Sequence, residues 1–146
     1  MALDKILVFV IGRVMWDNLP REHKMNLGYL EYETMKVVKI TVLERSQKKE
    51  LIEKYGDPKL TVCPILRDGQ VFYATNTCPK GLCDAAWRTM NKYVFALSCG
   101  VKEFYGGGWM ARPGEVITCC DDGLRPVFFK LEATDEEADP FPGREV

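Results

Sequence analysis

The sequence predicts a small α+β domain with a mixed or antiparallel sheet, two main helices and a C-terminal β-hairpin. Three observations support this class. The chain has 146 residues, which is enough for one domain with a core. Short β-branched segments are mixed with two segments of helical apolar spacing, and their order lacks a regular βαβ rhythm. The composition, 47% hydrophobic and 28% charged, is that of a globular protein.

The expected order of elements is strand, strand, helix, strand, helix, strand, strand. Strands are predicted from β-branched or alternating patterns over residues 5–11, 35–43, 70–74, 115–120 and 126–131. Helices are predicted from apolar stripes over residues 47–55 and 80–93. Ser46 is expected to cap the first helix, and Asp122-Gly123 is expected to be the two-residue turn of the last hairpin.

The chain is expected to divide into three parts. Residues 1–34 form an N-terminal extension of a strand plus a polar loop, and this loop holds the only histidine, His23. Residues 35–133 form the α+β core domain. Residues 134–146 are acidic, contain two prolines and lack an apolar period, which predicts a mobile tail.

Charge and hydropathy exclude several classes of partner. The net charge is −1, from 20 basic and 21 acidic residues, so we expect no nucleic-acid partner and no binding to anionic membranes. No apolar run approaches the ~20 residues that span a bilayer. The apolar run at residues 6–11 is at the short limit for a secretory signal and is followed by no small-x-small cleavage site. We therefore expect a cytoplasmic protein.

Six cysteines are many for a chain of this length in the cytoplasm. A reducing compartment disfavours a structural disulfide framework, so buried thiols, metal ligands and redox groups remain as explanations. The six are Cys63, Cys78, Cys83, Cys99, Cys119 and Cys120.

The adjacent cysteines near the last hairpin are the strongest chemical signal. With a two-residue turn, Cys120 would lie opposite Arg125, about 5 Å away at Cβ, and the guanidinium would favour a thiolate. Because side chains alternate along a strand, Cys119 would point to the other face, toward the core. In the alternative interpretation both cysteines are small hydrophobic residues, and Arg125 pairs with Asp121 or Asp122 instead.

Cys83 is a second candidate, because it is predicted in the first turn of the stronger helix. There the N–H groups and the helix dipole favour an anion, and Trp87 shares its face. A cysteine at a helix start is also a common structural arrangement. Cys63 precedes Pro64 in a loop, which suits a ligand or a reactive group. The candidate catalytic residues are therefore Cys120, Cys83 and Arg125.

Four cysteines could also hold a zinc ion or an iron–sulfur cluster. The sequence has no C-x2-C pair, and adjacent cysteines in a regular strand point apart, so neither metal is specified. The candidate metal ligands are Cys63, Cys83, Cys119 and Cys120.

Five stretches between residues 35 and 133 resemble motifs of a small prokaryotic family found mainly in anaerobes. They are the strand at residues 36–43, Cys63-Pro64, Gly-Gln-Val-Phe at 69–72, Pro-Lys-Gly-Leu-Cys-Asp-Ala-Ala-Trp at 79–87, and Cys-Cys-Asp-Asp-Gly-Leu-Arg-Pro-Val-Phe-Phe-Lys at 119–130. The resemblance implies a shared module rather than a particular reaction. It implies that four cysteines are common to the family, namely Cys63, Cys83, Cys119 and Cys120.

Three functions follow as hypotheses. The first is a cytosolic protein with a cysteine-lined pocket in redox or metal-dependent chemistry of anaerobic metabolism. The second is a non-enzymatic accessory subunit or binding module that forms a homo-oligomer or joins a larger protein complex through its extension and tail. The third is an acid–base enzyme that would use Glu115, Asp121, Asp122 and Arg125.

Overall fold

A computed structural model of the protein describes residues 34–139. The predicted strand over residues 5–11 and the loop with His23 lie outside this range, and the predicted division into extension, core and tail stays a prediction. The elements in the range are β1 (Met35–Arg45), α1 (Lys49–Tyr55), β2 (Val71–Ala74), α2 (Asp84–Ser98), β3 (Glu115–Cys119) and β4 (Val127–Ala138). Within residues 34–139, neither helix combines the length and hydropathy that a membrane crossing needs.

The four strands form one antiparallel sheet in the order β2-β1-β4-β3. The predicted α+β class with two helices is confirmed, and β3 and β4 form the predicted C-terminal hairpin. In β1 the side chains alternate, so that Val38, Ile40 and Val42 are fully buried on one face. This alternation is the sequence pattern from which the strand was predicted.

Helix α2 covers one face of the sheet and contributes four residues to the core cluster. Its apolar stripe repeats at helical spacing and is fully buried: Ala86, Met90, Val94 and Leu97. The strands contribute buried side chains of the facing surface: Val38, Ile40, Val42, Phe72, Val116, Val127, Phe129 and Leu131. Helix and sheet therefore stabilise one another through a single apolar layer.

The face of the sheet opposite α2, which we call the open face, carries a ladder of charges across three strands. The Nζ atom of Lys130 lies 2.6 Å from Glu132 and 2.9 Å from Glu115, and Lys39 lies 3.6 Å from Glu132. Tyr73, beside Lys39 on the edge strand, is 55% exposed. This face is therefore amphipathic, whereas the face under α2 is apolar.

Helix α2 begins four residues later than predicted and ends five residues later. A turn precedes it: the N–H of Leu82 donates to the Pro79 carbonyl at 3.1 Å, and Gly81 has φ +88°. Cys83 is extended, with φ −76° and ψ 142°, so the helix starts only at Asp84. The glycine is compatible with the left-handed conformation that this turn requires.

Helix α1 is not capped by Ser46 as predicted. The N–H of Ser46 donates to the carbonyl of Pro126 at 2.9 Å, which prolongs the pairing of β1 with β4. Lys48 occupies the capping position and makes no side-chain capping bond. The helix therefore begins at Lys49, two residues later than predicted.

Strand β4 is longer than the predicted strand over residues 126–131. It continues to Ala138, which is the partner of Met35 in β1. Lys36 and Glu137 form an ion pair at 3.0 Å, and the register of the pairing shifts between Lys36 and Val38. Residues 134–138, which were predicted to belong to the mobile tail, are therefore part of the sheet.

Candidate functional site

The loop between β3 and β4 is wider than the predicted two-residue turn. Cys119 pairs with Phe128, and the N–H of Cys120 donates to the Val127 carbonyl at 3.0 Å. Cys120 therefore lies opposite Val127, not opposite Arg125. The predicted pairing of the Cys120 thiol with the Arg125 guanidinium is wrong.

Asp122 explains why the loop is wide. Its Oδ1 accepts the backbone N–H groups of Leu124 and Arg125, both at 3.0 Å, and its Oδ2 accepts Nε of Arg125 at 2.8 Å. Burial alone would raise the pKa of Asp122, but these bonds from Arg125 and Leu124 outweigh it and lower the pKa. The guanidinium is thus bound within its own loop, as the alternative interpretation of Arg125 expected.

Cys119 and Cys120 face opposite sides of the sheet, as predicted, but it is Cys120 and not Cys119 that faces the core. Cys120 packs against the core, and the N–H of Val127 donates to its Sγ at 3.3 Å. Cys119 shares the open face with its partner Phe128, because Val116, three residues earlier, points into the core. The thiol nearer the core is therefore Cys120.

Cys63 is held at the same end of the sheet as Cys120. Nη1 of Arg45 donates to the Cys63 carbonyl at 3.1 Å, and Arg45 is the cross-strand partner of Val127. Asp68 fixes Arg45 by accepting its N–H at 3.0 Å and its Nε at 3.1 Å. Arg45 thus ties the Cys63 loop to the end of β1, and Val127 of β4 lies between Arg45 and Cys120.

Cys83 occupies the N-cap position of α2 rather than its first turn. Its carbonyl accepts the N–H groups of Ala86 at 3.1 Å and Trp87 at 3.0 Å, while its side chain makes no capping bond. The helix is attached to the end of β3, because Oγ1 of Thr89 donates to the Cys119 carbonyl at 2.8 Å. This contact places the start of α2 beside the hairpin loop.

Arg88 supplies a cation that the sequence did not predict. Its Nη2 lies 2.8 Å from Oδ2 of Asp121, and the two side chains are 69% and 43% exposed. The pKa of Arg88 is raised chiefly by the hydrogen bond and charge of Asp121, with smaller contributions from Asp84 and Cys83. The guanidinium of Arg88 is therefore bound to the hairpin loop through Asp121.

Cys78 lies close to Cys83 and was also missed. Its Sγ donates to the carbonyl oxygens of Pro79 at 3.7 Å and Leu82 at 3.8 Å. Burial, and then the negative charges of Asp84 and Cys83, raise the pKa of the Cys78 thiol. The C-x4-C spacing across a proline-glycine turn was the available signal.

The structure thus brings together cysteines from three separate segments. Four half-buried thiols pack against the same core cluster, and we call this region the thiol end: Cys63, Cys78, Cys83 and Cys120. Cys99 follows the last turn of α2 and is not part of it. All six cysteines are free thiols.

The predicted metal ligands are not assembled. Among the residues that the structure describes, no three His, Cys, Asp or Glu side chains come close enough together to hold a metal ion. Cys119 faces away from Cys120, so these two cannot ligate one ion with Cys63 and Cys83. The donor set at the thiol end therefore does not fit a zinc or iron–sulfur centre.

The acidic residues proposed for an acid–base enzyme are also separated in the structure. Asp121 is bound by Arg88 and Asp122 by Arg125, whereas Glu115 lies at the opposite end of β3 in the charge ladder. The residues proposed for acid–base chemistry therefore do not converge on one site.

The fold and the thiol end together define an α+β domain with free, partly exposed cysteines at one end of its core. Comparisons with protein-family models, with curated proteins and with solved structures find no match for this chain.

Proposed function

We propose that this protein carries out thiol-based redox chemistry in the cytoplasm, in anaerobic metabolism, with Cys83 and Cys120 as its reactive thiols. One observation carries the proposal: three distant segments each pack a free, half-buried cysteine against the core cluster, and the bonds of Arg45, Val127 and Thr89 hold these segments at one end of the sheet. Reactive thiols are partly exposed and lie near cations or N–H donors, whereas inert structural thiols are buried. Cys83 and Cys120 are both half-buried, the first at the N-cap of α2 and the second beside the N–H of Val127.

Each reactive cysteine has its own local support. Cys83 lies at the N-cap of α2, where the helix dipole favours an anion, and Cys120 receives the N–H of Val127 at 3.3 Å. Arg125 has no place in the proposal, because its guanidinium is bonded to Asp122. The redox form of the hypothesis is favoured over the metal form, because thiol exchange needs only two sulfurs at a time.

The test is the reactivity of the folded, reduced protein toward N-ethylmaleimide under anaerobic conditions, followed by peptide mass spectrometry. We expect Cys83 and Cys120 to be modified before Cys99, which follows the C-terminal end of α2, where the helix dipole opposes an anion. The Cys99→Ser variant is the matched control and should leave the other labelling rates unchanged. Resistance of every thiol at the thiol end would refute the proposal, and stoichiometric zinc or iron by native mass spectrometry would replace it with a metal function.

A second candidate function, a binding module, is favoured by the open face of the sheet. Tyr73 is 55% exposed and Ile117 is 36% exposed on this face, on either side of the charge ladder. A surface with both signs of charge can complement itself across a two-fold axis, so the proposed occupant is a second copy of the chain. Docking through residues 1–34 or the end of the tail concerns residues outside the described range.

Sedimentation velocity over a range of protein concentrations tests the binding module. If the open face forms a homodimer, Ile117→Glu and Tyr73→Glu should each weaken it, whereas Lys49→Glu on α1 should not. A monomer at every concentration would contradict this second function.

A further inference from the structure

We propose that Cys78 and Cys83 form a reversible disulfide by exchange with a low-molecular-weight disulfide. Cys78 would act as the resolving thiol for Cys83. The inference therefore rests on the proposed redox function of Cys83. Cys78 had no predicted role, and the resemblance to the anaerobe family does not include it. Its position in the structure gives it one.

The sulfur of Cys78 lies close to the backbone of Cys83. Sγ of Cys78 lies 3.8 Å from the carbonyl oxygen of Leu82, and the carbon of that carbonyl is bonded to the nitrogen of Cys83. In a trans peptide the oxygen lies about 2.8 Å from the next Cα, so the Cα of Cys83 is within about 7 Å of the Cys78 sulfur. A disulfide also requires that the two Cα atoms lie about 4.4–6.8 Å apart, and this separation depends on the turn between them.

The intervening turn keeps the two residues in this arrangement. The N–H of Leu82 donates to the Pro79 carbonyl at 3.1 Å, and Gly81 has φ +88°. A closed turn over residues 79–82 places the flanking Cys78 and Cys83 next to each other, as the turn of a hairpin does with the ends of its strands. Both cysteines are half-buried, so a small disulfide can still reach them.

The exchange proceeds in two balanced steps. The Cys83 thiolate attacks one sulfur of the small disulfide, a mixed disulfide forms, and the first small thiolate leaves. The Cys78 thiol then loses its proton and attacks the Cys83 sulfur, so that the internal disulfide forms and the second small thiolate leaves. Two electrons pass to the small disulfide, and its two sulfurs leave as thiols.

The structure assigns these roles to the two cysteines. Cys83 occupies the N-cap of α2, where the helix N–H groups and dipole favour the anion that attacks first. The Cys78 sulfur donates to the carbonyl oxygens of Pro79 and Leu82, so this thiol holds its proton until the mixed disulfide forms beside it.

The experiment treats the full, reduced protein with oxidised glutathione, blocks free thiols with N-ethylmaleimide and digests with trypsin. Cleavage after Lys80 separates the two cysteines into peptides 68–80 and 81–88. We expect these peptides to be joined, with the loss of two hydrogens. In Cys78→Ser the cross-link should be lost and glutathione should accumulate on peptide 81–88, whereas Cys99→Ser should keep the cross-link.

The outcomes separate this inference from the proposed function. If wild-type protein accumulates glutathione on Cys83 without a cross-link, or links Cys83 to Cys63 or Cys120, the pair is refuted and the reactive thiol remains. If no cysteine of the folded protein reacts, both proposals fail. The wild-type result decides the matter even if a variant does not fold.

Discussion

Replacing Asp122 with alanine should loosen the loop that positions Cys120. The carboxylate accepts the N–H groups of Leu124 and Arg125 and the side-chain Nε of Arg125. Alanine would leave two backbone donors without their partner and would free the guanidinium. The loop would then lose the contacts that hold it in its wide form.

The expected destabilisation is about 1–2 kcal/mol. A backbone hydrogen bond contributes about 1 kcal/mol net, but water can partly replace the lost acceptor in this surface loop. The ion pair adds little, because Asp122 and Arg125 are 35% and 31% exposed and solvent screens such pairs to about 0–1 kcal/mol.

The same carboxylate should make stability depend on pH. Burial opposes ionisation of Asp122, but its bonds lower its pKa below the ordinary value of 3.8. A carboxyl group with a lowered folded-state pKa contributes stability above its unfolded-state pKa, and this contribution is lost as the pH falls through the folded-state value. The Asp122→Ala variant should therefore lose less stability than wild type when the pH is lowered from 7 to below 3.

Urea denaturation at both pH values measures these effects. Asp122→Asn keeps an acceptor without the charge and should lie between alanine and wild type at pH 7. Asp121→Ala is the matched control, because its pair with Arg88 is exposed and should contribute nothing measurable. A wild-type denaturation midpoint for Asp122→Ala, or an equal effect of Asp121→Ala, would refute the role given to Asp122.

Three further comparisons test the fold, each by urea denaturation. Phe129→Ala should cost about 3–5 kcal/mol because this ring is fully buried, whereas Ile117→Ala on the open face should cost under about 1 kcal/mol; equal costs would contradict the placement of the core. Gly81→Ala should lower the free energy of unfolding by about 1–2 kcal/mol because the φ of Gly81 is +88°. The control Gly123→Ala should leave the free energy of unfolding unchanged. An unchanged value for Gly81→Ala would refute the turn. Thr89→Val removes the donor to the carbonyl that ends β3 and should cost about 1 kcal/mol; an unchanged midpoint would show that this bond does not fasten α2.

The elements of the fold were predictable because their signals are local. Alternation in β1 and the apolar stripe of α2 specify which faces are buried, and both lie within single segments. The end of β4 was not predictable, because residues 132–138 are mostly polar and are held by pairing with the distant start of β1. Ion pairing of Glu137 with Lys36, 101 residues away, leaves no local pattern.

The site was predictable only in part. The choice of Cys83 and Cys120 came from chain position, and both residues do lie at the thiol end. The partner of Cys120 was wrong because the hydrogen bonds of Asp122 add residues to the loop and shift the register from Arg125 to Val127. The role of a side chain in widening a turn cannot be deduced from strand alternation alone.

The opposite orientations of Cys119 and Cys120 limit what oxidation can do at this hairpin. While the backbone there stays extended, the two sulfurs cannot bond to each other, since the sheet itself stands between them. On oxidation, each of these two sulfurs would therefore have to form a disulfide with a different partner, one on each face of the sheet. Although they are adjacent in sequence, Cys119 and Cys120 are therefore approached by reagents from opposite faces of the sheet.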